Sequence, residues 1–362
     1  MLDLAAQAKS VEVEVKQAVL AVLDSQKYVL GPEVEAFEAE LAAYSHVQHA
    51  VAVRNGSDAL LLSLMALDIG PGDEVIVPTF TFFATAGSVA RVGAKPVFVD
   101  ILPDTFNVDP AAIEAAITPR TKAIMPVHLY GQCADMEHIM AIANRHKLAV
   151  VEDAAQAIGA KRNGQNVGSW SNAATLSFYP TKNLSAVGEG GMILTNDGPF
   201  AERLRQMRNH GQTSLYEHKW IGGNFRLDGI QGAALRVKLK RLPTWNDARR
   251  ANGARYDAGL AGADGIVTPV AEATSYHVYH QYTIRSSRRD ALRACLDSAG
   301  IGSGVYYPLS LHLQPCFAYL NGKVGQLPVA EQASKEVISL PISPEMSREQ
   351  QDYVIKTIKS FC

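Results

Sequence analysis

The stretch QHAVAVRNGSDALLLSLMAL, residues 48–67, places a β-branched run directly before an apolar run long enough to form a helix. The same alternation continues through DEVIVP (73–78), FATAGSVARVG (83–93), KPVFVD (95–100), DPAAIEAAI (109–117), KAIMPV (122–127), DMEHIMAIANRH (135–146) and LAVVED (148–153). This order is typical of βα units on a mainly parallel sheet. The strand runs lack alternating polar residues, which predicts a sheet with helices on both faces.

The C-terminal part of the chain has a different pattern. Residues 226–260 predict one or two long helices broken near Pro243. After them come HVYHQYTIR (277–285), a helix at about 288–299, GVYYP (304–308) and a last helix from Ser347, which together predict a smaller α+β unit. A chain of 362 residues is long enough for about two domains. We therefore expect a large domain at 1–240 and a small domain at 241–362.

The composition excludes several classes of protein. The 34 Lys and Arg against 36 Asp and Glu give a net charge of −2, so no basic surface for nucleic acid is indicated. No apolar run approaches the ~20 residues of a membrane helix. Acidic residues at Glu12, Glu14 and Asp24 interrupt any export signal, and we expect a cytoplasmic protein.

The four cysteines, Cys133, Cys295, Cys316 and Cys362, have neither CxxC nor Cys/His spacing. This argues against a metal site and against a disulfide framework. We expect reduced thiols and no metal.

A first candidate site is the turn RNGSDAL, residues 54–60, between a strand that ends at Val53 and a helix that starts at Ser57. Gly56 allows close backbone approach, and the free N–H groups of a first helical turn bind anions. The turn thus predicts a phosphate site at Gly56 and Ser57. The alternative is an ordinary βα turn in which Ser57 is the N-cap.

A second candidate is the apolar strand that ends in Asp153, three residues before Gln156. Ligands of open α/β sheets bind at the carboxyl ends of the strands. A buried carboxylate there needs a cationic partner, and a protonated pyridine nitrogen is one such partner. Asp153 as an N-cap or a structural ion pair is the alternative.

The third candidate is SFYPTKNL, residues 177–184, followed by GEGG at 188–191. Lys182 lies on an irregular segment just after a strand, where its amine can reach a cleft. Desolvation lowers the pKa of an amine and makes it a nucleophile and base. The phosphate turn, the strand-end Asp153 and the segment from Ser177 to Lys182 together indicate a functional lysine.

This ordered set resembles the pyridoxal phosphate-dependent aminotransferases of the DegT/DnrJ/EryC1/StrS family, which act on nucleotide-linked keto sugars. The similarity runs from YVLGPEVEAFE (28–38) to YYPLSLHLQP (306–315). It implies an α/β fold of type I: a large domain with a mainly parallel seven-stranded sheet between helices, and a smaller α+β domain. It also implies a homodimer with active sites at the subunit boundary.

The resemblance implies a role for each cofactor contact. Lys182 would bond to pyridoxal phosphate and later move the proton between substrate and cofactor, and Asp153 would pair with the pyridine nitrogen. The other cofactor contacts would be Gln156 to the phenolic oxygen, Phe82 to the ring, Gly56, Ser57 and Ser177 to the phosphate, and Asn224 of the partner subunit also to the phosphate. For Phe82, core packing is the alternative.

The resemblance also implies substrate contacts at Arg226, Tyr307 and His312. Arg226 would recognise substrate or donor across the dimer interface, with an intrahelical pair to Asp228 or a neighbour as the alternative. Family members often carry histidine where Tyr307 stands, so a neutral phenol replaces a titratable ring and an acid/base role there is in doubt.

Lys182 itself argues against the dehydratase branch, in which histidine replaces the lysine. The pair Lys182-Asn183 is similar to members that act at C-3, whereas Lys-His is common at C-4. We expect L-glutamate as donor in a ping-pong reaction, and a dTDP-linked 3-keto-6-deoxyhexose as acceptor. A UDP-linked 3-keto sugar or uronic acid and a C-4 ketone are the alternatives.

Two readings of another class remain open. One is a non-catalytic regulator that binds pyridoxal phosphate, which would not need Lys182. The other is a different fold type I reaction on a free amino acid. That reaction needs a cationic clamp for the α-carboxylate, and the nearby candidates are Arg285, Arg288 and Arg289.

Overall fold

The computed structural model describes residues 3–361. Its helices are α1 (Leu4–Lys9), α2 (Glu12–Ser25), α3 (Pro32–Ser45), α4 (Gly56–Ala66), α5 (Phe83–Arg91), α6 (Pro110–Ala115), α7 (Met136–His146), α8 (Gly198–Arg208), α9 (Gly229–Leu239), α10 (Leu242–Leu260), α11 (Arg289–Ser298), α12 (Pro328–Glu336) and α13 (Arg348–Phe361). Its strands are β1 (His49–Val53), β2 (Glu74–Pro78), β3 (Lys95–Val99), β4 (Thr121–Ile124), β5 (Ala149–Asp153), β6 (Lys161–Arg162), β7 (Gln165–Asn166), β8 (Ala173–Ser177), β9 (Gly191–Thr195), β10 (Gln212–Ser214), β11 (Glu217–His218), β12 (Ser275–Tyr276), β13 (Tyr282–Arg285) and β14 (Val337–Leu340).

Seven strands form the main sheet in the order β1-β9-β8-β5-β4-β2-β3. The pairs β8/β5, β5/β4, β4/β2 and β2/β3 are parallel. Strand β9 is antiparallel to both of its neighbours, β1 and β8, so it is the one strand of this sheet that runs opposite to the rest. The prediction of a mainly parallel seven-stranded sheet is therefore confirmed. The carboxyl ends of β1, β2, β5 and β8 lie at the same edge, which is where the three sequence motifs were expected to meet.

Apolar side chains cover both faces of this sheet. Along β1, Ala50 and Ala52 pack into one buried cluster with α3 and α7, whereas Val51 and Val53 pack into a second cluster with α4, α5 and α8. Successive side chains of a strand point to opposite faces, so this division follows from the strand period. The expected layer of helices on each face is present.

A separate core forms near the C-terminus, where α10, α11 and α13 pack on the antiparallel pair β13/β14. Helix α10 joins the two cores, since its first residue Leu242 lies in the sheet cluster, whereas Tyr256 and Leu260 lie in the C-terminal cluster. This packing supports the domain limits that we propose, 1–240 and 241–362.

Two further expectations concern membrane helices and cysteines. Within residues 3–361, no helix combines the length and the apolar character that a bilayer span requires. Cys133, Cys295 and Cys316 are free thiols, and Cys362 lies outside the described residues. No group of metal-ligating side chains was found in this part of the chain either.

Candidate active site

A cavity of about 1180 Å³ opens at the carboxyl edge of the main sheet. Its lining includes most of the site residues predicted from the sequence: Gly56, Ser57, Phe82, Asp153, Gln156, Ser177, Lys182 and Tyr307. Ordinary small-molecule sites measure roughly 300–1,000 Å³. The cavity is therefore large enough for a cofactor together with a second, bulky ligand.

The anion-binding end of the cavity is the start of α4. Asn55 caps this helix, because its side chain accepts a hydrogen bond from the Asp58 N–H over 2.8 Å. The alternative that made Ser57 the N-cap is therefore wrong, and the helix begins one residue earlier, at Gly56. The N–H groups of Gly56 and Ser57 lie in the first turn, before intrahelical bonding begins, and can bind an anion.

Gly56 is packed tightly against the end of β8. A Cβ atom at this position would lie 2.7 Å from Cβ of Ser177 and 3.2 Å from its hydroxyl oxygen. The absence of a side chain at Gly56 therefore brings the helix start and the Ser177 hydroxyl to the same point. This cradle fits a phosphate group held largely without charged side chains.

Asp153 lies at the end of β5, 5% exposed. Its Oδ2 accepts the Thr85 hydroxyl over 2.7 Å, and its Oδ1 accepts the Ala155 N–H over 3.2 Å. Burial raises the pKa of Asp153, while these two hydrogen bonds and the positive charge of Lys182 act in the opposite direction. A carboxylate placed in this way favours a cationic ligand atom, and a protonated pyridine nitrogen fits it.

Lys182 lies on the loop after β8 and reaches the same cavity. Burial lowers the pKa of its amine to about 8, although the Asp153 carboxylate acts in the opposite direction. A neutral amine is the nucleophilic form. The loop thus supplies an amine that loses its proton more readily than an ordinary lysine.

The amide of Gln156 has a fixed orientation. Its Oε1 accepts the Tyr130 N–H over 2.7 Å, so the NH2 group is turned toward the cavity, where it lies 3.1 Å from the Tyr307 hydroxyl. A phenolic oxygen of a bound cofactor would accept from this NH2 group. Burial, and secondarily the charge of Asp153, raise the pKa of Tyr307, so its phenol stays neutral and can donate.

Phe82 is 56% exposed and lines the cavity. Its ring centroid lies 6.2 Å from that of Tyr307. The core-packing alternative for Phe82 is wrong, because the ring faces open space rather than a packed interior. A flat ligand ring would give it a stacking partner.

Three of the predicted residues, His312, Asn224 and Arg226, do not line this cavity. The ring of His312 is buried between Thr79, whose Oγ1 is 2.8 Å from Nδ1, and Glu331, whose Oε1 is 3.3 Å from Nε2. Both ring nitrogens are thus engaged, and His312 is buried in the protein interior rather than in the cavity lining.

Asn224 and Arg226 lie together on the extended segment before α9. Arg226 donates from Nε to Oδ1 of Asn224 over 3.1 Å and from Nη1 to Oδ1 of Asn209 over 2.9 Å. The alternative of an intrahelical pair with Asp228 is wrong, because α9 begins only at Gly229 and Asp228 is its N-cap. The Asn224 residue is exposed.

Sequence reasoning missed several residues at the site, among them Thr85 and His280. Thr85 holds Asp153 from helix α5, and His280 lines the cavity from the segment before β13. Thr85 lies in a run of small residues, and His280 lies in a strand-like run, so neither has a local motif that could have identified it.

Comparisons with known proteins agree with this geometry. The sequence model of the DegT/DnrJ/EryC1/StrS aminotransferase family matches residues 9–359. The chain is 55% identical to a pleiotropic regulatory protein of Geobacillus stearothermophilus, over 100% of this chain and 98% of the relative. It is 47% identical to dTDP-3-amino-3,4,6-trideoxy-alpha-D-glucose transaminase of Streptomyces venezuelae, over 99% of this chain and 95% of the relative.

A third relative is UDP-N-acetyl-3-dehydro-alpha-D-glucosamine 3-aminotransferase of Acidithiobacillus ferrooxidans, which is 48% identical over 97% of this chain and 94% of the relative. Among solved structures, S. venezuelae DesV in complex with a ketimine intermediate superposes with a TM-score of 0.98 at 47% identity, covering 99% of this chain and 97% of that chain. Bacillus subtilis NtdA with bound cofactor PMP superposes with a TM-score of 0.89 at 36% identity, covering 95% and 80%.

Proposed function

The chain belongs to the DegT/DnrJ/EryC1/StrS aminotransferase family and uses pyridoxal phosphate, and from that premise we propose that it moves an amino group from L-glutamate to a nucleotide-linked 3-keto sugar. The observation that carries the proposal is the single cavity that holds the phosphate cradle at Gly56, the Asp153 carboxylate and the Lys182 amine. These are the three groups that a pyridoxal phosphate enzyme of this fold needs.

The cofactor, when bound, supplies an electron sink and a carrier for the amino group. Gly56, Ser57 and Ser177 are placed to hold its phosphate, with Asn224 of a partner subunit as a further contact. Asp153 is placed to keep its ring nitrogen protonated, the Gln156 amide to donate to its phenolic oxygen, and Phe82 to cover its ring. The proposed contacts thus reach the phosphate, the ring nitrogen, the phenolic oxygen and one face of the cofactor ring.

Lys182 is the residue that we propose for the covalent attachment and for the proton transfer. Its amine is mostly surrounded by protein and is easily deprotonated. A neutral amine can remove a proton from the substrate carbon and return it on the neighbouring atom. The Asp153 carboxylate favours the protonated state of Lys182 and so limits how far burial lowers the pKa of the amine.

The size of the cavity supports a large acceptor such as a nucleotide-linked sugar. Tyr307 is placed to contact this acceptor, and its neutral phenol can donate a hydrogen bond to a sugar oxygen but does not exchange protons near neutral pH. Arg54 and Arg91 also line the cavity and offer positive charge for the diphosphate group. We propose no contact for His312 with the acceptor, because both of its ring nitrogens are engaged elsewhere.

Two of the relatives support the carbon position. The S. venezuelae and A. ferrooxidans enzymes are by name a 3-amino-sugar transaminase and a 3-aminotransferase, one with a dTDP-linked and one with a UDP-linked sugar. This agrees with the prediction from Lys182-Asn183. We favour a dTDP-linked 3-keto-6-deoxyhexose as acceptor, with a UDP-linked 3-keto sugar or uronic acid second and a C-4 ketone third.

A homodimer with shared active sites belongs to the same proposal. Tyr179 and Val187, on either side of the Lys182 loop, are about half exposed in the single subunit, and Ile221 is 90% exposed. Of these three, Tyr179 lines the cavity, and clustered exposed apolar side chains are typical of a protein contact. A second copy on this surface would cover them and would bring its own Asn224 and Arg226 to the phosphate end.

The two readings of another class have less support. A reaction on free amino acids would need a carboxylate clamp at Arg285, Arg288 or Arg289, but none of the three lines the cavity. Arg289 donates instead to the carbonyl oxygens of Ser334 and Val337. A purely regulatory role, suggested by the name of the G. stearothermophilus relative, gives no reason for Lys182 and Asp153 to share the cavity.

The test is a spectral titration of the purified protein loaded with pyridoxal phosphate. L-Glutamate is expected to bleach the absorption band of the bound cofactor. A panel of dTDP- and UDP-linked 3-keto and 4-keto sugars is then added, and one 3-keto sugar is expected to restore the band. A band that glutamate leaves unchanged would contradict the proposal, and recovery only with a 4-keto sugar would move the reaction to C-4.

A further inference from the structure

A chain of three side chains, Asn246, Asn183 and His280, runs from helix α10 to the cavity, and its orientation is fixed at Asn246. Nδ2 of Asn246, on helix α10, donates to the carbonyl oxygen of Ile158 over 3.1 Å. A carbonyl oxygen can only accept, so the amide of Asn246 has only one possible orientation, with its Oδ1 turned toward Asn183.

Asn183 is fixed in the same way. Its Nδ2 donates to Oδ1 of Asn246 over 2.9 Å and to the carbonyl oxygen of Val278 over 3.0 Å. Both partners accept, so the NH2 group of Asn183 is fully used. Its Oδ1, on the opposite side of the amide, lies 3.3 Å from Nδ1 of His280.

The tautomer of His280 follows from this orientation. An amide oxygen accepts only, so Nδ1 of His280 must carry the proton. Burial lowers the pKa of His280 well below its usual range, and the positive charges of Lys182 and Arg249 act in the same direction. The ring is therefore neutral, and Nε2 retains an unshared electron pair.

Nε2 is the part of the ring that remains for the cavity. His280 lines the cavity together with Lys182, and within residues 3–361 no hydrogen bond to its Nε2 is present. Asn183 directly follows Lys182 but is only 2% exposed and does not line the cavity. Asn183 can thus affect a ligand only through its neighbours.

We propose that His280 is a positioning residue for Lys182: its Nε2, which has no hydrogen-bond partner among the residues that the structure describes, accepts an N–H hydrogen bond from the Lys182 amine when that amine turns toward it during the reaction, and Asn183 acts on the reaction by holding His280 in the required tautomer. This role rests on the proposed aminotransferase function. It gives the residue after the lysine a physical effect on the site without any contact between Asn183 and a ligand.

The tautomer is tested without any activity. In cofactor-free protein labelled with ¹⁵N-histidine, the ring nitrogens of His280 are observed by NMR and assigned by their loss in His280→Gln. The expected result between pH 6 and 8 is a proton on Nδ1 and an unprotonated Nε2. A proton on Nε2, or on both nitrogens, would overturn the proposal.

The effect on Lys182 is tested by the single-turnover rate with glutamate, followed on the cofactor band. His280→Ala is expected to lower this rate about 10- to 100-fold, because a misdirected amine loses its alignment with the substrate carbon. The dissociation constant of the sugar acceptor should stay unchanged. His280→Gln, whose neutral amide can both donate and accept, is expected to recover part of the rate.

His277→Gln is the matched control, since His277 is a buried histidine of the same segment that stacks on Tyr279. It should keep the wild-type rate. Asn183→Ala should yield a mixture of His280 tautomers and a reduced rate, with a folded far-UV spectrum. An Asn183→Ala protein with an unchanged tautomer and an unchanged rate would overturn the proposal.

Two results distinguish a failure of the proposed function from a failure of the role of His280. Wild-type protein that has the Nδ1–H tautomer but takes no amine from glutamate overturns the proposed function, and with it the role of His280. The opposite tautomer in a protein that transfers the amine overturns the role of His280 alone.

Discussion

The hydroxyl of Thr85 donates to Oδ2 of Asp153 over 2.7 Å, and both groups are buried. Thr85 belongs to α5, whereas Asp153 ends β5, so the contact fixes the carboxylate from a second element of the fold. Burial alone would favour the protonated acid. The Thr85 hydrogen bond favours the ionised form, which is the form that a protonated ring nitrogen needs.

Thr85→Val should therefore lower kcat, because it removes the donor while keeping the shape of the side chain. A hydrogen bond to a charged group is worth about 1.5–3 kcal/mol, which corresponds to roughly 10- to 100-fold in rate. The pKa of Asp153 should rise, so the acid limb of the pH profile of kcat/KM should move to higher pH. Thr85→Ser should keep the wild-type profile, and a Thr85→Val enzyme with that same profile would show that Thr85 has no such role.

The lowered pKa of Lys182 predicts the pH dependence of cofactor uptake. Only the neutral amine reacts, so the rate at which cofactor-free protein takes up pyridoxal phosphate should rise with pH, with a midpoint near 8. Asp153→Asn should lower this midpoint, since the carboxylate favours the protonated amine. Stopped-flow absorbance measures the rate, and a midpoint near that of an ordinary lysine would contradict the burial argument.

The same shift has a consequence for stability. Because the pKa of Lys182 is lower in the folded than in the unfolded chain, the unfolded chain binds more protons between pH 8 and the ordinary lysine value. The cofactor-free protein should thus become more stable as pH rises through this window. Lys182→Met should raise Tm at pH 7 and remove this part of the pH dependence, while it abolishes turnover. Thermal unfolding of both proteins at several pH values is the measurement, and a lower Tm for Lys182→Met at pH 7 would speak against it.

Gly56→Ala should weaken retention of the cofactor. The added Cβ would lie 2.7 Å from Cβ of Ser177, so the start of α4 and the end of β8 must separate. We expect the Kd of pyridoxal phosphate to rise at least about 10-fold, as a displaced cradle loses hydrogen bonds to the phosphate. Gly70→Ala is the control, because the nearest atom to its Cβ is the Val92 carbonyl oxygen at an ordinary 3.8 Å. Equal Kd values for the two variants would argue against the cradle.

The proposed dimer predicts complementation between two inactive variants. In a mixed dimer of Lys182→Ala and Asn224→Ala subunits, one site carries both changes and the other carries neither, provided that Asn224 acts across the boundary. Random mixing makes about half of the dimers mixed, and each mixed dimer has one unchanged site. Roughly a quarter of all sites in the mixture should therefore be active. If Asn224 serves its own subunit, the mixture should be no more active than the Asn224→Ala protein alone.

The sheet was predictable from the sequence because each strand and helix has its own local pattern. The alternation of runs such as QHAVAV and SDALLLSLMAL carries the order of the elements, and parallel order places their carboxyl ends together. Most of the candidate site followed for the same reason, since Gly56, Asp153 and Lys182 lie at the ends of strands or within five residues after them.

The rest of the site could not be predicted, because it depends on contacts between residues that are far apart in the sequence. Thr85 meets Asp153 across 68 positions, and Asn183 meets His280 across 97. No local period encodes which turn of a helix faces which strand end. His312 has a similar explanation: the segment YYPLSLH carries both a side chain at the cavity, Tyr307, and one in the interior, and only packing against Thr79 and Glu331 decides which is which.

The alternative interpretation of the α4 turn, with Ser57 as N-cap, is wrong for a more local reason. Both Asn55 and Ser57 are good N-cap residues, and they lie two positions apart. Asn55 has the extended backbone of a cap, so its side chain reaches the Asp58 N–H and leaves Gly56 inside the first turn. The Gly56 N–H thus belongs to the first turn of α4, which agrees with the phosphate site predicted at Gly56 and Ser57.

The central claim is that the amino group of glutamate ends on C-3 of a nucleotide-linked sugar. The most direct test incubates the protein with ¹⁵N-labelled L-glutamate and a dTDP-linked 3-keto-6-deoxyhexose, and locates the label by NMR and mass spectrometry. We predict ¹⁵N bonded to C-3, formed together with 2-oxoglutarate and absent with Lys182→Ala. Label that stays in glutamate with every dTDP- and UDP-linked keto sugar, in a protein that binds pyridoxal phosphate, would contradict the account.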